Sequence, residues 1–151
     1  MKPYTIKKHV EIHASKERVW EVLVTPELFA KWADAFSPGA KMQGDWDIGG
    51  TVIYTDKEGM GLKGKVIEFK PHERVTVEYT DVLENFKESP TASSIDPWAG
   101  CRETYILSEK NGVTHLTIES QVPTKEFYDE HSKSWDVAVV KMVKLALLTK
   151  V

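Results

Sequence analysis

Two ionisable side chains stand where the pattern of the sequence turns them inward. Glu103 alternates with Tyr105 and Leu107 in a run of strand character, so the three share one face. A buried carboxylate needs a hydrogen-bonding partner or a raised pKa. The hydroxyls of Tyr105 and Tyr79 are candidate partners, and such a set could orient a polar ligand atom or protonate an enolate. A register slip of one residue would turn Glu103 to water and remove that chemistry. His131 lies one turn before Trp135 on the inner face of a predicted helix. It could hydrogen-bond a ligand or serve as an acid or base. The alternative is a histidine at a pocket mouth, satisfied by backbone or water. Glu103 and His131 are therefore the catalytic candidates, and no catalytic role is assigned to either.

Other patterns suggest chemistry and lose it on inspection. His9-Val10-Glu11-Ile12-His13 resembles a metal motif, but its two histidines sit on a predicted strand. At ~3.3 Å per residue they stand ~13 Å apart, too far to share an ion that needs ligands at ~2 Å. Solvent-facing histidines are expected there. His72 falls in a turn and His115 on an outer strand face, neither with a partner at ligand spacing, so no metal site is expected. Gly59-Met60-Gly61-Leu62-Lys63-Gly64 satisfies G-x-G-x-x-G, yet Lys65–Phe69 continues as strand instead of opening a helix. A glycine-rich hairpin is expected, not a dinucleotide site, and no cofactor is implied. Cys101 starts a strand with no activating base beside it and reads as structural.

The elements that position these residues follow from periodicity. Tyr4 to His13 alternates, with Ile6, Lys8, Val10 and Ile12 on one face, and reads as a strand. Ser15 then caps a short helix carrying Val19, Trp20, Val22 and Leu23. Thr25-Pro26-Glu27 opens a second one, with Leu28, Phe29 and Trp32 at helical spacing. Six strands follow: Lys41–Asp47, Thr51–Thr55, Lys63–Phe69, Arg74–Thr80, Arg102–Ser108 and Val113–Val122. Gly49-Gly50, Lys57-Glu58-Gly59, Pro71-His72-Glu73 and Lys110-Asn111-Gly112 punctuate them, so hairpins connect most neighbours and the sheet is antiparallel. Val82 to Ala99 is long for a hairpin connection and carries Phe86, Ile95 and Trp98, which suggests a lid or a mobile loop. Thr124 caps a last helix running without Gly or Pro from Lys125 to about Lys150. At ~1.5 Å per residue it is on the order of 38 Å long and can span the sheet. The fold class is α+β: a curved seven-stranded antiparallel sheet around a long C-terminal helix, with two short helices after the first strand.

Composition narrows the function. The 151 residues suit a single domain, 1–151; 41% are hydrophobic and 28% charged, the balance of a globular protein. The net charge is −3, without a dense Lys/Arg cluster, so no nucleic-acid partner is expected. One cysteine excludes an internal disulfide. The longest apolar stretch, Val137 to Leu148, is broken by Lys141 and Lys144 and falls short of the roughly 20 residues of a membrane span. The N-terminus shows no apolar leader, and the cytoplasm is the expected location. Val137, Val140, Leu148 and Val151 make the outer face of the last helix unusually apolar. Lysine stems could cover it, or a homodimer or partner surface could.

A curved sheet around a helix leaves an apolar gap wherever the short helices do not fill it, the usual form of a small-molecule site. The expected ligand-binding residues are Trp32, Phe36, Met42, Trp46, Tyr54, Tyr79, Glu103, Tyr105, His131, Trp135 and Val139. Core packing alone is the plainer reading of each.

Val19-Trp20, Thr25-Pro26-Glu27-Leu28 and Trp32 resemble the opening signature of the START-like superfamily, also called SRPBCC, helix-grip or birch-pollen-allergen-like. Asp45 before Gly49-Gly50, the Pro71–Val75 turn, the Asn111–Leu116 hairpin, and Glu130-His131 before Ser134-Trp135 are similar too. Within that superfamily the chain looks most like the branch of homologues of the activator of the 90-kilodalton heat-shock protein ATPase. The resemblance covers nearly the whole chain. It implies the helix-grip fold and a ligand-holding cavity, in a superfamily of lipid carriers, hormone receptors, cyclases and chaperone cofactors. The leading expectation is a carrier of an apolar or amphipathic small molecule, without catalysis. The alternative is a cyclase or dehydratase using Glu103, Tyr105 or His131. An interaction domain of the chaperone-activator kind ranks last, because chaperone stimulation in eukaryotic relatives generally involves a further N-terminal domain not found in these 151 residues.

Overall fold

The computed structural model describes residues 3–85, 87, 88 and 98–148. The first strand, β1, is Tyr4–Ile12. Its alternation buries Ile6 and Ile12 and exposes Lys7, His9 and Glu11. Lys8 shares the inward face, and its stem carries Nζ past apolar surface to Asp136 Oδ1 (2.8 Å) and Ser132 Oγ (3.0 Å). Helix α1 (Lys16–Val24) starts where Ser15 Oγ accepts the N–H of Arg18 at 3.2 Å. Helix α2 (Pro26–Ala33) follows directly, with proline at its first position. Thr25 joins the two without a side-chain cap. Its N–H donates to Glu21 O and its carbonyl accepts from Phe29 N, so Thr25 itself acts through its backbone.

The remaining strands are β2 (Lys41–Gly44), β3 (Thr51–Thr55), β4 (Gly61–Lys70), β5 (Arg74–Glu84), β6 (Lys87–Glu88), β7 (Arg102–Lys110) and β8 (Val113–Val122). Seven form one curled antiparallel sheet in the order β1-β8-β7-β5-β4-β3-β2, and the two-residue β6 pairs with the end of β5. The expected seven-stranded sheet and its two short helices are therefore present. Boundaries shift by one or two residues in β1, β4 and β7, and by more in β2 and β5. β2 stops at Gly44 and not at Asp47, because Asp45–Gly50 folds into a turn through Asp47 N→Asp45 O and Gly50 N→Asp47 O. Only glycine fits at position 50, since a Cβ there would overlap the carbonyl oxygen of Asp45. β5 runs on to Glu84, so the connection expected from Val82 begins later. Phe86, Ile95 and most of that expected lid lie outside the described residues; Trp98 lies within them. At the β7–β8 hairpin, Asn111 (φ 53°) and Gly112 (φ 78°) both take positive φ, as a two-residue turn matched to strand twist requires.

Helix α3 (Lys125–Leu147) begins where Thr124 Oγ1 accepts Phe127 N at 3.2 Å. It ends before the expected Lys150, which lies outside the described residues. Trp135, Ala138, Met142, Leu145 and Ala146 form its buried stripe, which meets β1, β8, α1 and α2. Arg18 Nη2 donates to the carbonyl of Leu145 (2.9 Å), and Lys141 pairs with Asp34 just past α2, fixing both short helices to α3. One continuous apolar core joins sheet and helices. No helix among the described residues is long and apolar enough to cross a membrane.

Candidate functional site

Between α2, α3 and the sheet lies a cavity of about 390 Å³. Its walls are a closed circuit of rings. From Trp32, neighbouring centroids run to Phe29 (4.7 Å), Tyr54 (5.6 Å), Tyr79 (6.1 Å), Trp98 (6.1 Å), His131 (5.7 Å), Phe36 (5.7 Å), Trp135 (4.8 Å) and back to Trp32 (5.9 Å). Phe127 stacks edge-on to Trp98 at 4.9 Å and thickens the wall. The members come from several elements: α2 supplies Phe29 and Trp32, β3 Tyr54, β5 Tyr79, α3 His131 and Trp135. Trp98 is brought in by the turn before β7, where Tyr79 N donates to Cys101 O and Gly100 N to Tyr79 O.

Glu103 is the charged group of this interior. It sits on β7 opposite Val77 of β5 and Ser120 of β8, in the middle of the sheet. Its Oε1 accepts from Tyr79 Oη (3.0 Å) and Ser120 Oγ (3.4 Å), and its Oε2 from Tyr105 Oη (2.7 Å). Burial pushes the carboxyl pKa above its ordinary value, and the three hydroxyl donors pull it partly back. Tyr79 and Tyr105 are held far above the ordinary tyrosine pKa, first by burial and then by the Glu103 charge. They stay neutral donors. Every group that Glu103 engages is therefore supplied by the chain itself.

Two other donors lack that satisfaction. Tyr54 Oη and Trp135 Nε1 are buried, line the cavity, and have no hydrogen-bonding partner among the described residues. Trp32 differs, since its Nε1 donates to Val22 O at 2.8 Å. A buried donor left unmet costs about 1–3 kcal/mol, so the arrangement favours an occupant that brings acceptors. His131 sits among the rings of Phe36, Trp98 and Phe127. Burial lowers its pKa, with Glu130 opposing, which favours the neutral imidazole.

Seven of the residues expected from sequence meet at this cavity: Trp32, Phe36, Tyr54, Tyr79, Glu103, His131 and Trp135. Four do not line it. Tyr105 lies behind Glu103, spending its hydroxyl on the carboxylate. Val139 packs against the core away from the cavity. Met42 is buried elsewhere, and Trp46 donates to its sulfur at 3.4 Å. Counting strand alternation from Met42 to Trp46 fails because β2 ends at Gly44 and Trp46 belongs to the turn. Phe29, Ala33, Leu62, Phe127 and Ser120 line the cavity without having been singled out. Helical spacing already placed Phe29 with Leu28 and Trp32 on an apolar face. Ser120 needed the β7–β8 register, which pairs it with Glu103.

The histidines need one correction. His115 does have partners: β1 and β8 pair so that Glu11 lies opposite His115, and His115 Nδ1 stands 3.7 Å from Glu11 Oε1. The His9 ring stacks on His115, with centroids 5.7 Å apart. Spacing within one strand could not reveal a neighbour on another. His72, by contrast, sits in its turn (φ 67°) against Trp20. The glycine-rich stretch is the hairpin into β4, with Asp56 Oδ1 accepting Glu58 N and Met60 N.

A protein from Mesorhizobium loti superposes with a TM-score of 0.74 at 18% identity, covering 98% of this chain and 100% of its own. The Aha1 dimer from Colwellia psychrerythraea gives 0.72 at 19% identity, covering 98% of this chain and 99% of that one. CalU16 from Micromonospora echinospora gives 0.67 at 18% identity, over 96% of this chain and 77% of that one. At such identities these likenesses establish the fold alone. No curated protein matches the sequence. The family model for activator of Hsp90 ATPase homolog 1-like proteins matches residues 13–146. That span takes in both short helices with the Ser15 cap, the whole curled sheet but its first strand, and nearly all of α3, and by it the chain belongs to the activator of Hsp90 ATPase homolog 1-like family, on the START/SRPBCC-like fold.

Proposed function

We propose that the protein binds an apolar small molecule that carries hydrogen-bond acceptors, and does so without catalysis. The observation that carries this reading is the closed aromatic circuit with two unmet donors, Tyr54 Oη and Trp135 Nε1, on its wall. An apolar body would gain contact with the rings, and an acceptor such as a carbonyl would satisfy the donors. A cyclase-like proton transfer is less well supported, because Glu103 is already engaged by Tyr79, Tyr105 and Ser120. Native mass spectrometry of the purified chain, with titration of the fluorescent probe N-phenyl-1-naphthylamine, tests the proposal. Saturable one-to-one binding, abolished when Ala33→Phe fills the cavity in a folded variant, is the expected result. Wild-type protein that neither retains a ligand nor takes up the probe would overturn it.

A second reading concerns self-association. Val137, Val140, Leu147 and Leu148 expose large apolar side chains on α3, each more than half accessible. The similar Aha1 from Colwellia psychrerythraea is a dimer. We infer that this face of α3 joins two copies of the chain. Analytical ultracentrifugation is expected to give a dimer that the pair Val137→Glu and Val140→Glu converts to monomer. A wild-type monomer at high concentration contradicts it.

A further inference from the structure

We propose that His9, Glu11 and His115 form a surface site for a divalent transition-metal ion of the zinc and nickel kind, clamping the edge strand β1 to β8. The three side chains offer two imidazole nitrogens and a carboxylate oxygen, and these atoms lie within 4.8 Å of one another. His9 and Glu11 are two residues apart on β1 and project from the same outward face; His115 lies directly across from Glu11 on β8. The backbone positions are thus set by a continuous antiparallel ladder, not by a loop. A tetrahedral ion with ligands at ~2.0–2.1 Å holds its donor atoms about 3.3 Å apart. The pair His115 Nδ1–Glu11 Oε1 is already at 3.7 Å. Small rotations of partly exposed side chains bring the third donor in.

The surroundings fit the same role. Thr117, across from His9 on β8, holds His9 Nδ1 at 3.1 Å through Oγ1. When Nδ1 donates in that bond, the Nε2 lone pair is free for a metal and the ring is held in place, as second partners of ligating histidines do. Two neutral imidazoles and one carboxylate give the cluster a formal charge of −1. The nearby Lys7 on the same face pairs with Glu119 at 3.6 Å and so leaves the cluster's charge unopposed. Nitrogen-rich donors select zinc, nickel, cobalt or copper over magnesium and calcium, which want oxygen. Three protein ligands on one side leave a position for water. The site stands apart from the cavity, since none of its residues lines that space. β1 ends the sheet, with β8 its one strand partner among the described residues. An ion bridging the two would hold that edge without any change in fold.

The test is zinc and nickel titration of the full chain, freed of any histidine tag, by competition with a chromogenic chelator. Wild type is expected to bind one equivalent of Zn²⁺ and no Mg²⁺. His9→Ala, Glu11→Gln and His115→Ala should each weaken zinc binding by at least about tenfold, while His13→Ala, one exposed neighbour along, should not. Circular dichroism confirms that each variant is folded. Since Glu11→Gln keeps the side chain's size, it remains a fair test if a histidine variant fails to fold. Zinc should also raise the thermal midpoint of wild type but not of Glu11→Gln, because an ion that binds the native ladder stabilises it. Absence of saturable zinc binding, or binding weakened as much by His13→Ala as by His115→Ala, overturns the proposal.

Discussion

At Glu103 the balance of burial against hydrogen bonding sets a pH signature. Its folded pKa lies above the ordinary value of 4.5, so the folded state holds the proton more tightly than the unfolded chain does. The stability this contributes is complete below about pH 4.5 and is lost as pH rises through the folded pKa. Glu103→Gln removes the titration. Urea unfolding of both proteins between pH 3 and 7 should show wild type losing ground to the variant as pH rises; a constant difference would contradict the assignment. His131 runs the other way. Its depressed pKa contributes stability that is present above about pH 6.5 and lost as pH falls through the folded value. His131→Gln should flatten that acid-side loss. Trp135→Phe keeps a ring and deletes an unmet donor. It should weaken binding of a carbonyl-bearing ligand by about tenfold, one lost hydrogen bond, while a pure hydrocarbon binds almost as before. Isothermal titration with a matched pair of ligands reads the difference.

The elements were legible in the sequence wherever periodicity and turn chemistry agreed. Thr51–Thr55 and Val113–Val122 begin and end where alternation and glycine turns place them. Trp46 shows where that method stops, because period-2 counting cannot see a strand end hidden between two apolar residues. Caps offer a graded test. Ser15 and Thr124 make side-chain cap bonds and Thr25 does not. Ser15→Ala and Thr124→Ala should each cost about 1 kcal/mol, and Thr25→Ala distinctly less, by chemical denaturation. Gly64 is a strand residue with little room for a side chain. A Cβ there would stand 2.6 Å from Val77 Cγ1 and 2.9 Å from Glu78 O, at the register shift between β4 and β5. Gly64→Ala should cost about 1–3 kcal/mol, as overpacking does.

In the molecule as a whole, the cavity lies between helices and sheet, and its residues come from eight helices and strands and from the turns between them. Sequence alone named seven of them, six on the inward face of a helix or strand and Phe36 in the turn after α2. It missed Ser120, and it missed the approach of His115 to Glu11, for one physical reason: both depend on how β8 registers against its neighbours, and register is a property of pairs of strands. The family likeness implied the fold and a cavity but no ligand, since one fold serves many chemistries.

The closed circuit of rings has a use apart from holding anything. Three of the chain's five tryptophans, Trp32, Trp98 and Trp135, belong to it, while Trp20 and Trp46 stand outside. Trp32 and Trp135 are adjacent indoles, with centroids 5.9 Å apart, and Trp98 stands in the same wall. A molecule that displaced water from around these indoles would shift their share of the protein's ultraviolet emission, so occupancy is expected to be readable without any label.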